Sequence, residues 1–154
     1  MAGEWFVRLA ALGLNLPEVA VPVAAYVPAV AHGDVIYVSG QLPSVRGRME
    51  YTGRLGAELT IEEGYAAARL CALNALAAAA SVANGPEGVG PALWLQGFVQ
   101  SATNFYDQAK VVNGASELLG QLFPNQPHAR VAVGVASLPL NVPVEVAAIF
   151  ERIR

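Results

Sequence analysis

Two charged residues stand where charge is least expected. Arg130 opens an alternating run to Leu138 in which Ala132, Gly134 and Ala136 share its parity, so a long cation projects beside a shelf of small side chains with room for a ligand. Glu145 is the sole acid between Asn141 and Phe150. A carboxylate amid valines is disfavoured unless it is paired, hydrated or useful, and such departures concentrate at functional sites. A salt bridge at a strand end, or exposure on a sheet edge, would account for either residue without chemistry.

Other chemistries find less support. His32 falls at a predicted hairpin tip and His128 just before Arg130. With no third histidine and no cysteine pair they make no metal site, and both read as loop histidines. His128 borders a cleft at Arg130 only if that strand starts early. Cys71, alone in an apolar stretch, reads as a packed thiol, excludes an intrachain disulfide and fits a reducing compartment. The run Gly85-Pro86-Glu87-Gly88-Val89-Gly90 has neither the lysine nor the glycine order of a phosphate cradle. Nine basic residues against twelve acidic ones give a net charge of −3, and the single lysine, Lys110, leaves no basic run for a nucleic-acid backbone.

At 154 residues, 55% hydrophobic and 14% charged, the chain has enough apolar material for one core and is read as one domain, 1–154. The apolar excess needs a destination, and subunit interfaces would absorb it. Membrane insertion is the competing account. No run of about 18 consecutive apolar residues exists, and Ala66 to Ala83 carries Arg69, Asn74 and Ser81, so it reads as a buried helix. Met1 to Asn15, with Glu4, Arg8 and no basic start, does not read as a signal peptide; the expected location is cytoplasmic.

These residues need elements to position them. Tyr26 to Ala31 and Val35 to Ser39, around His32-Gly33-Asp34, predict a β-hairpin. Leu42 to Glu58, with Arg46, Arg48 and Arg54, predicts an exposed loop. Thr60-Ile61-Glu62-Glu63 has the form of a capping box and starts a long helix that stops near Asn84-Gly85-Pro86. Gly85 to Pro91 is a loop, Leu93 to Val99 a strand with Trp94 and Phe98 on one parity, and Val111 to Leu122 a second helix with Asn113-Gly114 inside it. Arg130 to Leu138 and Val142 to Phe150 complete a β-β-α-β-α-β-β order. One sheet with both helices on one face, an α+β two-layer fold, follows. Its other face, carrying the alternating Val131, Val133, Val135, Val144, Val146 and Ala148, would be covered by another subunit. If the last two strands pair as a hairpin about Leu140, Glu145 faces Ala136 and lies roughly 20 Å from the level of Arg130. A shared site would then need Arg130 from one subunit and Glu145 from the next.

Pro22-x-x-x-Tyr26-Val27, Gly33, Val38-Ser39-Gly40-Gln41-x-Pro43, Asn113, Ala129-Arg130-x-x-Val133, Leu138-Pro139 and Val144-Glu145-x-x-Ala148 resemble the YjgF/RidA family of enamine/imine deaminases, in the family's order over most of the chain. Leu55-Gly56-x-Glu58-Leu59-Thr60-x-Glu62-Glu63-Gly64 and Leu70-Cys71-Ala72-Leu73-Asn74 are similar to a divergent, chorismate-mutase-like branch that carries an endoribonuclease label. The resemblance implies a chorismate-mutase-like subunit, a homotrimer with its clefts between neighbours, and no metal or organic cofactor. It implies hydrolysis of 2-enamine or 2-imine acids to 2-oxo acids and ammonia. By motif, Arg130 would grip the substrate carboxylate, Glu145 would hold or activate water, Gly40 would offer backbone contact beside Ser39, and Tyr26 and Asn113 would line the cleft. Ala132 replaces a common family cysteine, and the longer N-terminus and the Arg46 to Arg54 loop depart further, which puts a small enamine substrate in question and leaves a larger 2-oxo or 2-imino acid open. The alternatives are a trimeric sensor that binds a small carboxylate metabolite without turnover, and a ribonuclease, against which the acidic charge and the lack of a histidine pair both count.

Overall fold

In the computed structural model, which describes residues 3–22 and 24–154, the capping box forms as the spacing predicts. Thr60 Oγ1 accepts from the Glu63 amide at 3.2 Å, while the Glu63 carboxylate accepts from the Thr60 amide at 2.8 Å. The helix so started, α2 (Ile61–Val82), stops before Asn84 and Gly85, both at positive φ. Every residue from 71 to 80 is buried, because the sheet lies on one side of the helix and another helix on the next. By length and composition α2 could cross a bilayer, and 67% of its apolar window is buried within the protein. Alanines dominate it, so neighbouring backbones come close.

The sheet holds five strands in the order β1 (Ala29–His32), β2 (Val35–Gln41), β7 (Val144–Arg152), β5 (Val89–Gln100) and β6 (Ala129–Val135). A short ribbon of β3 (Ser44–Val45) and β4 (Arg48–Met49) occupies part of the expected 42–58 loop. The β1–β2 hairpin turns at Gly33-Asp34 as expected, but β1 starts at Ala29, so Tyr26 lies in the approach to the strand. Residues 89–91, expected in a loop, are the start of β5.

The last two strands do not pair. β7 runs antiparallel between β2 and β5, while β6 is an edge strand, parallel to β5. The intervening helix is the reason: a connection through a packed helix returns the chain parallel to the strand it left. Facing parity changes with it. Val144, Val146 and Ala148 point into the helix layer and are buried, not onto the open face. That open face carries Val30, Tyr37, Ile149, Trp94, Phe98 and Val133 instead, with Val30 and Tyr37 about half exposed.

Three helices, not two, cover the other face. α3 (Gln108–Leu122) lies against α2, and α1 (Glu4–Ala11) closes one end. Trp5 Nε1 donates to the Pro86 carbonyl at 3.0 Å, and Arg8 Nη1 donates to the Leu122 carbonyl at 3.0 Å, a cation at the negative end of α3. Periodicity over eight residues without a capping side chain is too short a signal to announce α1; its N-cap is Gly3 at φ +79°.

Asn113-Gly114 sits where α3 crosses α2, and a Cβ at Gly114 would overlap the Tyr65 carbonyl. Gly120, on the same helix, has open space. Gly114→Ala should therefore cost on the order of 3 kcal/mol by overpacking, whereas Gly120→Ala should add about 0.5–1 kcal/mol by helix propensity. Urea unfolding of the two variants checks the contrast.

Candidate functional site

Between Val38, which pairs with Ala148, and Gln41, which pairs with Val146, β2 carries one more residue than β7. That bulge bends the strand at Ser39-Gly40 and opens space over β7. Ser39 fixes the approach segment, its Oγ donating to the Val27 carbonyl at 2.7 Å and its amide to that of Pro28 at 2.9 Å. Gly40 is glycine for a direct reason: a Cβ there would overlap Oε1 of Glu145. The Glu145 carboxylate thus lies on the backbone of the bulge. Pairing with Phe98 places it on the sheet face away from the helices. Among the described residues it has no hydrogen-bond donor and no cation, and partial burial raises its pKa above the ordinary carboxylate range.

Tyr26, Ser39, Gly40 and Glu145 form one cluster. Tyr26, 47% exposed, and Gly40 also line a cleft of about 720 Å³.

Arg130 and Asn113 form the other cluster, across the sheet. Arg130 pairs with Leu95 and shares its facing, toward the helix layer. The shelf expected to be free beside it is filled by α3: Ala132 packs on the core, and a Cβ at Gly134 would meet the Gln108 amide. Arg130 Nη1 donates to Ser116 Oγ at 2.9 Å and Nη2 to the Ala109 carbonyl at 3.1 Å. Asn113 lies between those two residues on one face of α3. His128 Nε2 is 2.9 Å from Ser116 Oγ. Burial first, and the Arg130 charge second, hold His128 below its ordinary pKa, so its ring is neutral near pH 7. Since Arg130 occupies the serine oxygen, the Nδ1–H tautomer lets the hydroxyl donate to Nε2 and completes a chain from histidine to guanidinium. Sequence reasoning missed Ser116. Its signal was helical spacing, three residues after Asn113.

The two clusters do not meet within the chain. Glu145 and Arg130 lie two strands apart and on opposite faces, and three residues of offset along β5 add about 10 Å. Among the described residues, Glu145 is left without a cation and Arg130 without a carboxylate. Cys71 belongs to neither: it is fully buried, its Sγ is 3.6 Å from the Val144 carbonyl, and burial pushes its pKa well up. Among the described residues no group of three His, Cys, Asp or Glu side chains is placed to hold a metal.

Comparison with known proteins places this geometry. Protein TCP17 of Trypanosoma cruzi is 43% identical, over 97% of this chain and 95% of its own. The crystal structure of Atu1372 from Agrobacterium tumefaciens, of unknown function, matches with a TM-score of 0.90 at 40% identity, over 99% of this chain and 94% of that one. That of a putative endoribonuclease from Shewanella oneidensis matches with a TM-score of 0.91 at 34% identity, over 96% and 98%. Residues 6–151 match the family described as YjgF/chorismate mutase-like, putative endoribonuclease, and the chain belongs to that family.

Proposed function

We infer that the protein is a hydrolytic deaminase of 2-imino acids, acting in sites formed between the subunits of a homotrimer. One observation carries the reading: among the described residues Glu145 and Arg130 each lack an ionic partner, and they lie on opposite faces of one sheet. Pairing the Glu145 cluster of one subunit with the Arg130 cluster of the next satisfies both, and covers the apolar face around Tyr37 and Val133. No cofactor is required.

An iminium carbon is already electrophilic, so placement and one proton-transfer group suffice. Arg130 holds the substrate carboxylate through parallel N–H bonds, with Asn113 beside it. Glu145, ionised and poorly solvated, accepts a proton from water as the water oxygen bonds to the iminium carbon. The same proton passes to the nitrogen; as the C–N bond breaks, Glu145 takes the remaining hydroxyl proton, so the carbon becomes the carbonyl of a 2-oxo acid and the departing ammonia carries the proton away as ammonium. Gly40 keeps the bulge backbone within reach of Glu145, and Tyr26 borders the opening. Ser116 and His128 act through Arg130 and are positioning residues.

The test is ammonia release from 2-imino acids generated in situ, above the spontaneous rate. Arg130→Ala should lower kcat/KM about 100-fold, and Arg130→Lys should not restore it, because an ammonium cannot form the paired bonds. Binding of a 2-oxo acid with no acceleration of any imine would leave a sensor, and RNA cleavage abolished by Arg130→Ala would establish a nuclease.

Two further outcomes follow from the site's chemistry. Glu145 works as the carboxylate, and burial raises its pKa, so kcat should fall as pH drops through a value above the usual carboxylate range; Glu145→Gln should lose that limb along with about 100-fold or more of the rate. Ser116→Ala should raise KM several-fold with kcat nearly kept, and Ser116→Thr should recover it. A loss confined to kcat would remove Ser116 from substrate binding.

A further inference from the structure

The cleft that begins at Gly40 and Tyr26 is far larger than a three-carbon imino acid requires. Its volume of about 720 Å³ is in the range that encloses a sizeable organic ligand. Residues 17–22 form one wall, and the β3–β4 turn with Arg46 and Met49, in the loop that departs from the family pattern, forms another. Leu140 supplies a third.

One of these walls is held in an uncommon backbone conformation. Leu140 has φ +57° and Asn141 φ +59°, a left-handed pair without glycine. Gln100, almost fully buried, holds them: its Nε2 donates to Asn141 Oδ1 at 2.8 Å and to the Gly53 carbonyl at 2.9 Å, and its Oε1 accepts from the Leu138 amide at 2.7 Å. Arg46 (φ +51°) and Gly47 (φ +78°) are the two turn residues of the β3–β4 ribbon, where positive φ is the usual geometry. Asn74 reaches from α2 to the Leu42 and Ser44 carbonyls at 2.9 and 3.0 Å, pinning the chain between the bulge and the turn. Left-handed non-glycine residues persist only where surrounding bonds over-determine them, and they cluster around ligands. Here they leave Leu140 57% exposed at the cleft.

We propose that this cleft receives the substrate's side chain, and that the preferred substrates are 2-imino acids bearing a long aliphatic or aromatic group rather than 2-aminoacrylate. The proposal rests on the imine-hydrolysis reading, with Gly40 as the link: it lines the cleft, and the Glu145 carboxylate, itself outside the lining, lies against it. Val19, Val21, Pro28, Leu42 and Met49 give it apolar surface, while the reacting end stays at the bulge. The reactions that supply such imines are oxidations of large apolar amino acids, which form the C=N bond directly, rather than dehydration of hydroxy amino acids.

Stable 2-oxo acids, the products, separate the pocket from the chemistry. Calorimetry should show phenylpyruvate and 4-methyl-2-oxopentanoate binding at least about 10-fold tighter than pyruvate, as expected for several added apolar carbons in a fitted pocket. Ala20→Trp and Met49→Trp, which fill the cleft from opposite walls, should each collapse that ratio toward one. Equal affinity for the three acids in wild type, or a ratio untouched by both substitutions in folded protein, overturns the pocket whether or not imines are hydrolysed. The preference present without acceleration of any imine leaves the pocket standing and overturns the reaction.

Discussion

The last strand of the chain lies in the middle of its sheet, and that placement constrains the rest. β7 needs β2 on one side and β5 on the other, and its buried Val144, Val146, Ala148 and Phe150 form the floor on which α2 packs. Both of its pairings join residues far apart in sequence, so the sheet closes around long-range contacts. The same placement presents Glu145 on the open face while β6 carries Arg130 to the far edge and the helix side. Fold and site thus share one cause.

Helix packing serves the arrangement. The alanines of α2, with Gly114 at its crossing with α3, bring α3 close over β5 and β6. α3 then presents Asn113, Ser116 and the Ala109 carbonyl to Arg130. Tyr65 donates a hydrogen bond to Glu117, which ties the two helices on their outer surface. A bulkier helix would move the guanidinium as well as weaken the core.

Local signals were readable where local chemistry decides structure. Thr60 and Glu63 marked the start of α2 and Gly33-Asp34 the first hairpin, whereas the glycine beside Asn113 did not by itself separate a close helix crossing from neutral tolerance. The charged pair was readable too, since Arg130 and Glu145 break their strands' apolar pattern. What was lost depends on pairing over distance. A hairpin between β6 and β7 is the shortest loop the sequence allows, but the parallel crossover through α3 commits β6 to β5. That error put Val144, Val146 and Ala148 on the wrong face, although it led by another route to the same separation of Arg130 from Glu145. The cleft was hidden for a different reason: it depends on the left-handed pair Leu140-Asn141, held by the tertiary hydrogen bonds of Gln100 rather than by residue type.

The central claim is that a working site takes Arg130 from one subunit and Glu145 from another, and subunit mixing tests it directly. Arg130→Ala and Glu145→Ala proteins, each inactive, would be unfolded together in equal amounts, refolded and assayed for imine hydrolysis. Random trimers of the two contain intact sites at about a quarter of all positions, so about a quarter of wild-type activity should return. No recovery from a mixture shown to contain mixed trimers would contradict a shared site.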